Sequence, residues 1–184
     1  MSALAGSGEM PVLRIDWPQY HSLIEQLAVQ VYESNFAFDS LLCLARGGMR
    51  VGDVLSRLFK KPLAVLAASS YRDAAGTSQG TLDIADFITS TGGALCGRLL
   101  LVDDMVDSGN TIARVRELLQ QRFADIREIR TAVLWYKNTS TVAPDFFVQH
   151  LPHNPWIIQP FEVYDRLTPA DLAKTGALRP GHCA

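Results

Sequence analysis

The chain has 184 residues, 48% hydrophobic and 20% charged, with a formal net charge of −2. This length and composition suit one ordinary domain with a full core. The near-balanced charge excludes the overall basic field that holds proteins on nucleic acid or on an anionic membrane. Three cysteines without metal-ligand spacing argue against a disulfide framework and a zinc site. Because there is no basic, apolar leader and no apolar run of roughly 20 residues, we expect a cytoplasmic protein, neither secreted nor membrane-embedded.

The first half of the chain predicts a helix, a strand, a second helix and a second strand. Apolar residues at helical spacing predict an amphipathic helix over residues 18–34. The short apolar run 41–45 predicts a buried strand, and Val51, Val54, Leu55 and Leu58 predict a helix after it. Residues 63–67 predict another strand. The polar segment 69–84 is longer than an ordinary connection in a compact domain, so we expect a functional or mobile loop.

The strongest unit begins at Arg98. LLLVDD predicts a buried strand, MVDSGNT a tight turn, and Ile112, Val115, Leu118 and Leu119 one face of a helix. Residues 129–135 predict a further strand at a spacing suited to a right-handed crossover. The fold class is therefore α/β, a mostly parallel sheet flanked by helices.

The pattern changes after Tyr136, where shorter pieces are broken by prolines that we expect to end the parallel core. We interpret this part as a small C-terminal hood. Thr168 and Pro169 predict the N-cap and first residue of one short helix in the tail. The predicted organisation is a single domain with a core over about 18–135, a hood over about 136–165 and a tail over 166–184.

Two adjacent carboxylates, Asp103 and Asp104, precede a loop rich in small polar residues, 107–111. In a parallel α/β sheet, ligands bind beyond the carboxyl ends of the strands, where these residues should lie. Gly109 permits close backbone approach, and neighbouring hydroxyls and N–H groups can donate to a phosphate monoester. The segment lacks both GxxxxGK[ST] and GxGxxG. Two acids next to a phosphate would repel it unless they face hydroxyl groups, a cation or a developing positive charge. A ribose phosphate with Mg²⁺ offers all three.

LLLVDDMVDSGNT resembles the phosphoribosyl pyrophosphate signature of type I phosphoribosyltransferases, with every defining position filled. LLCLARGG over 41–48 is similar to the pyrophosphate loop of that family, and SSY over 69–71 to the opening of its mobile catalytic loop. The resemblance covers roughly residues 18–165. SSY and PWIIQPFE are most similar to bacterial xanthine-guanine enzymes, but Ile158 and Phe161 depart from their pattern. The choice among guanine, hypoxanthine and xanthine therefore stays open.

The resemblance implies a role for each candidate site residue. The catalytic acids are Asp103, Asp104 and Asp107, of which one of the first two would contact Mg²⁺ and the third would act at purine N7. Residues binding phosphoribosyl pyrophosphate are Arg46, Gly47, Ser108, Gly109, Asn110 and Thr111, and Ser70 and Tyr71, which open the catalytic loop, would also bind substrate. Those binding the base are Lys137, which would donate to O6, Trp156, which would stack on the ring, and Ile157. A cis Ala45–Arg46 peptide, and assembly as a homodimer or homotetramer, are also implied.

Each motif also has an ordinary structural interpretation. The acid pair could cap a helix, residues 46–48 could form a simple turn, Lys137 could be solvated, and Trp156 could be core. The four histidines show no ligand spacing. Two other functions stay open: a regulator with this fold that binds phosphoribosyl pyrophosphate or a nucleotide, and an enzyme acting on another base. The low net charge and short length disfavour a nucleic-acid-binding regulator.

Overall fold

The computed structural model describes residues 11–70 and 82–174, which fall into two compact units. The larger unit spans 21–154, and the smaller combines residues up to Tyr20 with those from Pro155 onward. Within the described ranges no helix is long and apolar enough to cross a membrane. The predicted arrangement of core, hood and tail in a single domain stays a prediction.

The larger unit is built on a sheet of seven strands among the described residues, ordered β4-β3-β2-β5-β7-β6 with β8 also paired to β7. The strands are β2 Ser40–Ala45, β3 Leu63–Ser70, β4 Leu82–Ser90, β5 Gly97–Val102, β6 Met105–Val106, β7 Ile126–Lys137 and β8 Phe146–Leu151. Every pairing is parallel except that of β3 with β4. The predicted fold class is confirmed.

Helices cover both faces of this sheet. α1 spans Trp17–Glu33, α2 Gly48–Phe59 and α3 Asn110–Arg122. A Cβ added at Gly52 of α2 would lie 2.7 Å from the Cβ of Cys43, so α2 packs closely on that face of β2. The inward residues of α3 share a core cluster with Leu42, the neighbour of Cys43 in the chain. Because adjacent strand residues point to opposite faces, α2 and α3 lie on opposite sides of the sheet.

Two expectations about strands are wrong. The segment 69–84 is not one loop, because β3 runs to Ser70 and β4 begins at Leu82; only 71–81 lies outside the described residues. The prolines after Tyr136 do not end the parallel core, because β8 pairs in parallel with β7. The reason is placement: Pro144 and Pro152 flank β8, so neither removes an N–H group from the ladder.

The smaller unit contains a two-stranded parallel sheet, β1 Val12–Arg14 with β9 Trp156–Ile158. Sequence patterns did not predict this pairing. A short 3-10 helix, Glu162–Asp165, follows, and then α4, Pro169–Lys174. The Thr168 hydroxyl accepts from the N–H of Asp171 at 3.3 Å, and the Asp171 carboxylate accepts from the N–H of Thr168 at 3.1 Å. This reciprocal cap confirms the helix predicted there.

Candidate active site

The acid pair lies directly after β5, at the carboxyl end of the parallel sheet. The backbone holds it there: the N–H of Asp103 donates to the carbonyl of Ala132 at 3.2 Å, and the N–H of Leu134 donates to the carbonyl of Asp104 at 2.9 Å. Each carboxylate also accepts from the next N–H, Asp103 from Asp104 at 2.9 Å and Asp104 from Met105 at 2.7 Å. Both side chains are thus fixed before any ligand binds.

The carboxylate of Asp103 is electrostatically unfavourable when ionised. Burial, and secondly the charge of Asp104, raise its pKa well above the usual range, although hydrogen bonds from the backbone N–H groups of Asp104 and Gly48 oppose the shift. A positive charge next to the pair would relieve this repulsion. The pair is therefore better suited to a cation or a cationic transition state than to an isolated anion.

The turn before α2 contacts the acid pair closely. The Ala45–Arg46 peptide is cis, as the resemblance implies. A Cβ at Gly47 would lie 2.6 Å from Oδ1 of Asp104, and one at Gly48 would lie 2.5 Å from the carbonyl oxygen of Val102. Both positions thus need glycine for close packing. Arg46, at the head of this turn, is exposed.

The candidate phosphate cradle begins after β6 and leads into α3. Gly109 adopts a left-handed conformation, φ +85°, as the N-cap of that helix. The Ser108 hydroxyl accepts from the N–H of Asn110 at 3.4 Å, and Asn110 and Thr111 form the first turn. Besides its positive φ, Gly109 has no room for a side chain, because a Cβ there would lie 2.6 Å from the hydroxyl of Ser140. The sequence predicts a glycine here for close approach of a ligand, and the structure adds a packing reason.

Lys137 and Asp107 form an ion pair at the same edge of the sheet. The β6–β7 register aligns Val106 with Tyr136, so Asp107, which follows β6, comes beside Lys137, the last residue of β7. Lys137 Nζ donates to Asp107 Oδ2 at 3.2 Å. The Lys137 side chain is only 10% exposed, whereas that of Asp107 is 37% exposed. The interpretation of Lys137 as a solvated surface lysine is therefore wrong.

Residues 139–142 support the back of the cradle, and sequence patterns gave no sign of them. The Thr139 hydroxyl lies 3.1 Å from both the backbone oxygen and Oδ1 of Asp107. The N–H of Thr141 donates to the carbonyl of Ser108 at 3.1 Å, and its hydroxyl lies 3.3 Å from the same oxygen. The run of hydroxyl residues after Lys137 was the only available signal, and such runs are common in ordinary loops.

The predicted magnesium site offers few protein donors. Among the described residues, no group of three or more His, Cys, Asp or Glu side chains is arranged to hold a metal ion. Two adjacent carboxylates are nevertheless a suitable donor set for Mg²⁺, which commonly binds one or two protein carboxylates and completes its shell with water and substrate oxygens. Asp103 and Asp104 fit a metal that arrives with a diphosphate.

Four candidate residues remain: Trp156, Ile157, Ser70 and Tyr71. Trp156 and Ile157 belong to the smaller unit; Trp156 is 48% exposed, so it is not core, and Ile157 is buried. Ser70 ends β3, and its side chain and all of Tyr71 lie outside the described residues. Roles for these four in binding substrate stay predictions.

Comparison with known proteins gives one family match and several similar structures. Residues 16–166 match the phosphoribosyl transferase domain. A purine phosphoribosyltransferase from Pyrococcus horikoshii Ot3 is 28% identical, with a TM-score of 0.68 over 83% of this chain and 95% of that one. A Helicobacter pylori xanthine-guanine-hypoxanthine phosphoribosyltransferase is 26% identical, with a TM-score of 0.70 over 91% and 99%. A hypothetical Neisseria gonorrhoeae protein with bound ppGpp is 18% identical, with a TM-score of 0.62 over 89% and 98%, a likeness of fold alone.

Proposed function

Because this chain belongs to the phosphoribosyltransferase family, we propose that it transfers ribose 5-phosphate from phosphoribosyl pyrophosphate to N9 of a 6-oxopurine. The bond from ribose C1 to pyrophosphate breaks as the bond from C1 to purine N9 forms, and pyrophosphate leaves. The similar Pyrococcus and Helicobacter proteins, described as purine and as xanthine-guanine-hypoxanthine enzymes, support a purine acceptor. A homodimer or homotetramer in the cytoplasm is part of the same proposal.

The Lys137–Asp107 pair is the observation that carries the choice of base. A 6-oxopurine presents O6 and N7 side by side on one edge. A lysine ammonium has only donors, so Lys137 suits O6, while Asp107 beside it can exchange a proton with N7. Adenine would place an amine donor against the ammonium. In a buried site such a mismatch costs several kcal/mol, so we expect discrimination of at least about a thousandfold in kcat/KM.

The acid pair and the cradle supply the sugar-phosphate half of the proposed site. Asp103 and Asp104 would orient the two ribose hydroxyls and favour positive charge on the ring as the C1 bond breaks. One of the two carboxylates would hold Mg²⁺, which would supply positive charge for the leaving pyrophosphate. Ser108, Asn110 and Thr111, at the start of α3, would donate to the 5-phosphate. The turn at Arg46 and Gly47 would receive the pyrophosphate.

The base-binding wall and the covering loop rest on the resemblance. Trp156 is half-exposed, so its indole ring has free surface on which a base could stack. The backbone of Ile157 would lie near the purine edge. Ser70 and Tyr71 would open the loop that closes over the activated sugar and excludes water, which would otherwise hydrolyse it.

A panel of bases tests the proposal. The protein is incubated with phosphoribosyl pyrophosphate, Mg²⁺ and guanine, hypoxanthine, xanthine, adenine, orotate or uracil in turn, and pyrophosphate release is measured. We expect release with at least one 6-oxopurine and essentially none with the other three bases. Equal release with adenine, orotate or uracil would contradict the assignment of Lys137. Tight binding of phosphoribosyl pyrophosphate without release for any base would favour a regulator.

A further inference from the structure

The segment that follows Lys137 is fixed at both sides. Ser140 donates its N–H to the Lys137 carbonyl at 3.1 Å, which closes a turn directly after β7. Thr139 donates its N–H to Oδ1 of Asn154, beyond the end of β8, at 3.3 Å. Asn138 donates its N–H to the carbonyl of Leu151 in β8 at 3.3 Å. The segment is therefore tied to the ends of both strands, and the Thr139 side chain leaves it from a defined backbone position.

Lys137, and Thr139 in the segment after it, contact the two carboxylate oxygens of Asp107. Lys137 donates to Oδ2 at 3.2 Å, and the Thr139 hydroxyl lies 3.1 Å from Oδ1. That hydroxyl has one proton, and it lies equally close to the Asp107 backbone oxygen. The proton can be shared between the backbone oxygen and Oδ1 of the same residue, and donation to Oδ1 would limit rotation of the Asp107 side chain.

The two contacts would behave differently when a purine binds. Donation from Lys137 to O6 requires its ammonium to share or leave Oδ2 of Asp107. The Thr139 contact is on the other oxygen, so it need not break when Oδ2 turns toward a base. Thr139 could then hold the carboxylate in place through the step in which the lysine changes partner.

We propose that Thr139 is a positioning residue that holds Asp107 in the orientation needed for proton exchange with the base. The proposal rests on the function proposed above for Asp107. Thr139 does not itself touch substrate in this scheme; it acts through the carboxylate.

The chain offers a matched control for this role. Thr141 is also exposed and also places its hydroxyl on the cradle, 3.3 Å from the carbonyl of Ser108. Its own N–H already donates to that carbonyl at 3.1 Å, so its hydroxyl is redundant. The variants Thr139→Val and Thr141→Val each replace a hydroxyl group with a methyl group, at positions two residues apart.

The kinetic experiment measures kcat and KM with hypoxanthine or guanine, and phosphoribosyl pyrophosphate affinity by calorimetry. We expect Thr139→Val to lower kcat about tenfold, the scale for one exposed hydrogen bond to a carboxylate, and to leave phosphoribosyl pyrophosphate affinity within about twofold. Thr139→Ser should restore most of kcat, and Thr141→Val should lower kcat less than Thr139→Val does, because the Thr141 hydroxyl contacts Ser108 and not Asp107. Equal kcat for the two valine variants, or no rescue by serine, would overturn the proposal.

Two further measurements separate this inference from the proposed function. In an Asp107→Asn background, Thr139→Val should cause little additional loss, because the group through which it acts has been altered; a full additive loss would contradict the role. Crystal structures of wild type and Thr139→Val should show the Asp107 carboxylate rotated in the variant, and an unchanged carboxylate would refute positioning. If wild type releases no pyrophosphate with any base, the proposed function fails, while the crystal structures still decide whether Thr139 orients Asp107.

Discussion

Replacing Lys137 with methionine should remove base recognition while leaving the fold and the sugar-phosphate site intact. The Lys137 side chain is only 10% exposed, and methionine fills the same space with a side chain of similar length. Asp107 is 37% exposed, so water can still solvate its carboxylate when the ammonium is gone. We therefore expect the free energy of unfolding to change by no more than about 1 kcal/mol. The loss of one hydrogen bond from a charged donor to O6 is worth about 1.5 to 3 kcal/mol.

That energy corresponds to a fall of about 10- to 150-fold in kcat/KM with guanine or hypoxanthine. Pyrophosphate release gives kcat/KM, calorimetry gives the affinity for phosphoribosyl pyrophosphate, and urea denaturation gives stability. Lys174→Met is a matched control, because Lys174 also pairs with an aspartate, at 3.4 Å, but is 78% exposed on α4. It should leave all three quantities unchanged. An unchanged kcat/KM in Lys137→Met, or an equal loss of phosphoribosyl pyrophosphate affinity, would refute the reasoning.

Three further predictions concern the acids and the cradle. Asp107→Asn keeps the side-chain shape but not the proton-exchanging group, so turnover should fall about a hundredfold or more while phosphoribosyl pyrophosphate binding, measured by calorimetry, is mostly retained; equal losses would contradict this role. Thr111→Ala should weaken phosphoribosyl pyrophosphate binding about tenfold without changing stability. Gly109→Val should lower both this binding and Tm, because valine cannot adopt φ +85° without strain. Wild-type affinity in both variants would show that the cradle is not part of the proposed site. The pKa of Asp103 is raised, first by burial and then by the charge of Asp104. The stability that Asp103 contributes is therefore fully present below its unfolded-state pKa, near about 4, and is lost as pH rises through its folded-state pKa. The Asp103→Asn variant cannot ionise at this position. Without Mg²⁺, its free energy of unfolding should therefore rise relative to that of wild type as pH increases from about 4 to neutrality. The same pH dependence in both proteins, measured by urea denaturation, would disprove this.

Local patterns predicted the parts of the fold whose signals lie close together in the chain. The strand, acid pair, turn and helix from Gly97 to Arg122 were visible because a run of buried residues, a glycine turn and a helical period follow one another directly. The cis Ala45–Arg46 peptide came from the resemblance and is confirmed. The ion pair of Lys137 with Asp107 needed the β6–β7 register, which no local pattern specifies.

The parts that were missed depend on partners far away in the sequence. Strand β1 has three residues and pairs with β9, more than a hundred positions later, so neither strand has a readable period. β8 was excluded from the core by flanking prolines that in fact leave its ladder intact. Thr139 carries no signature of its own, since its role comes from a carboxylate 32 positions earlier.

A designer who wished to reshape the turn before α2 would find very different tolerance at adjacent positions. Gly47 borders the carboxylate of Asp104, and Gly48 borders the backbone of Val102, each at a distance that leaves no space for even one methyl group. A saturation library at these two positions should return mostly glycine, because a side chain at position 47 would displace the Asp104 carboxylate and one at position 48 would push the turn away from the strand end. Arg46 next to them is exposed, so the steric limit found at the two glycines does not apply to its side chain. Substitution of Arg46 would therefore probe the charge that the proposed pyrophosphate site needs, whereas substitution of either glycine would probe the backbone path of the turn.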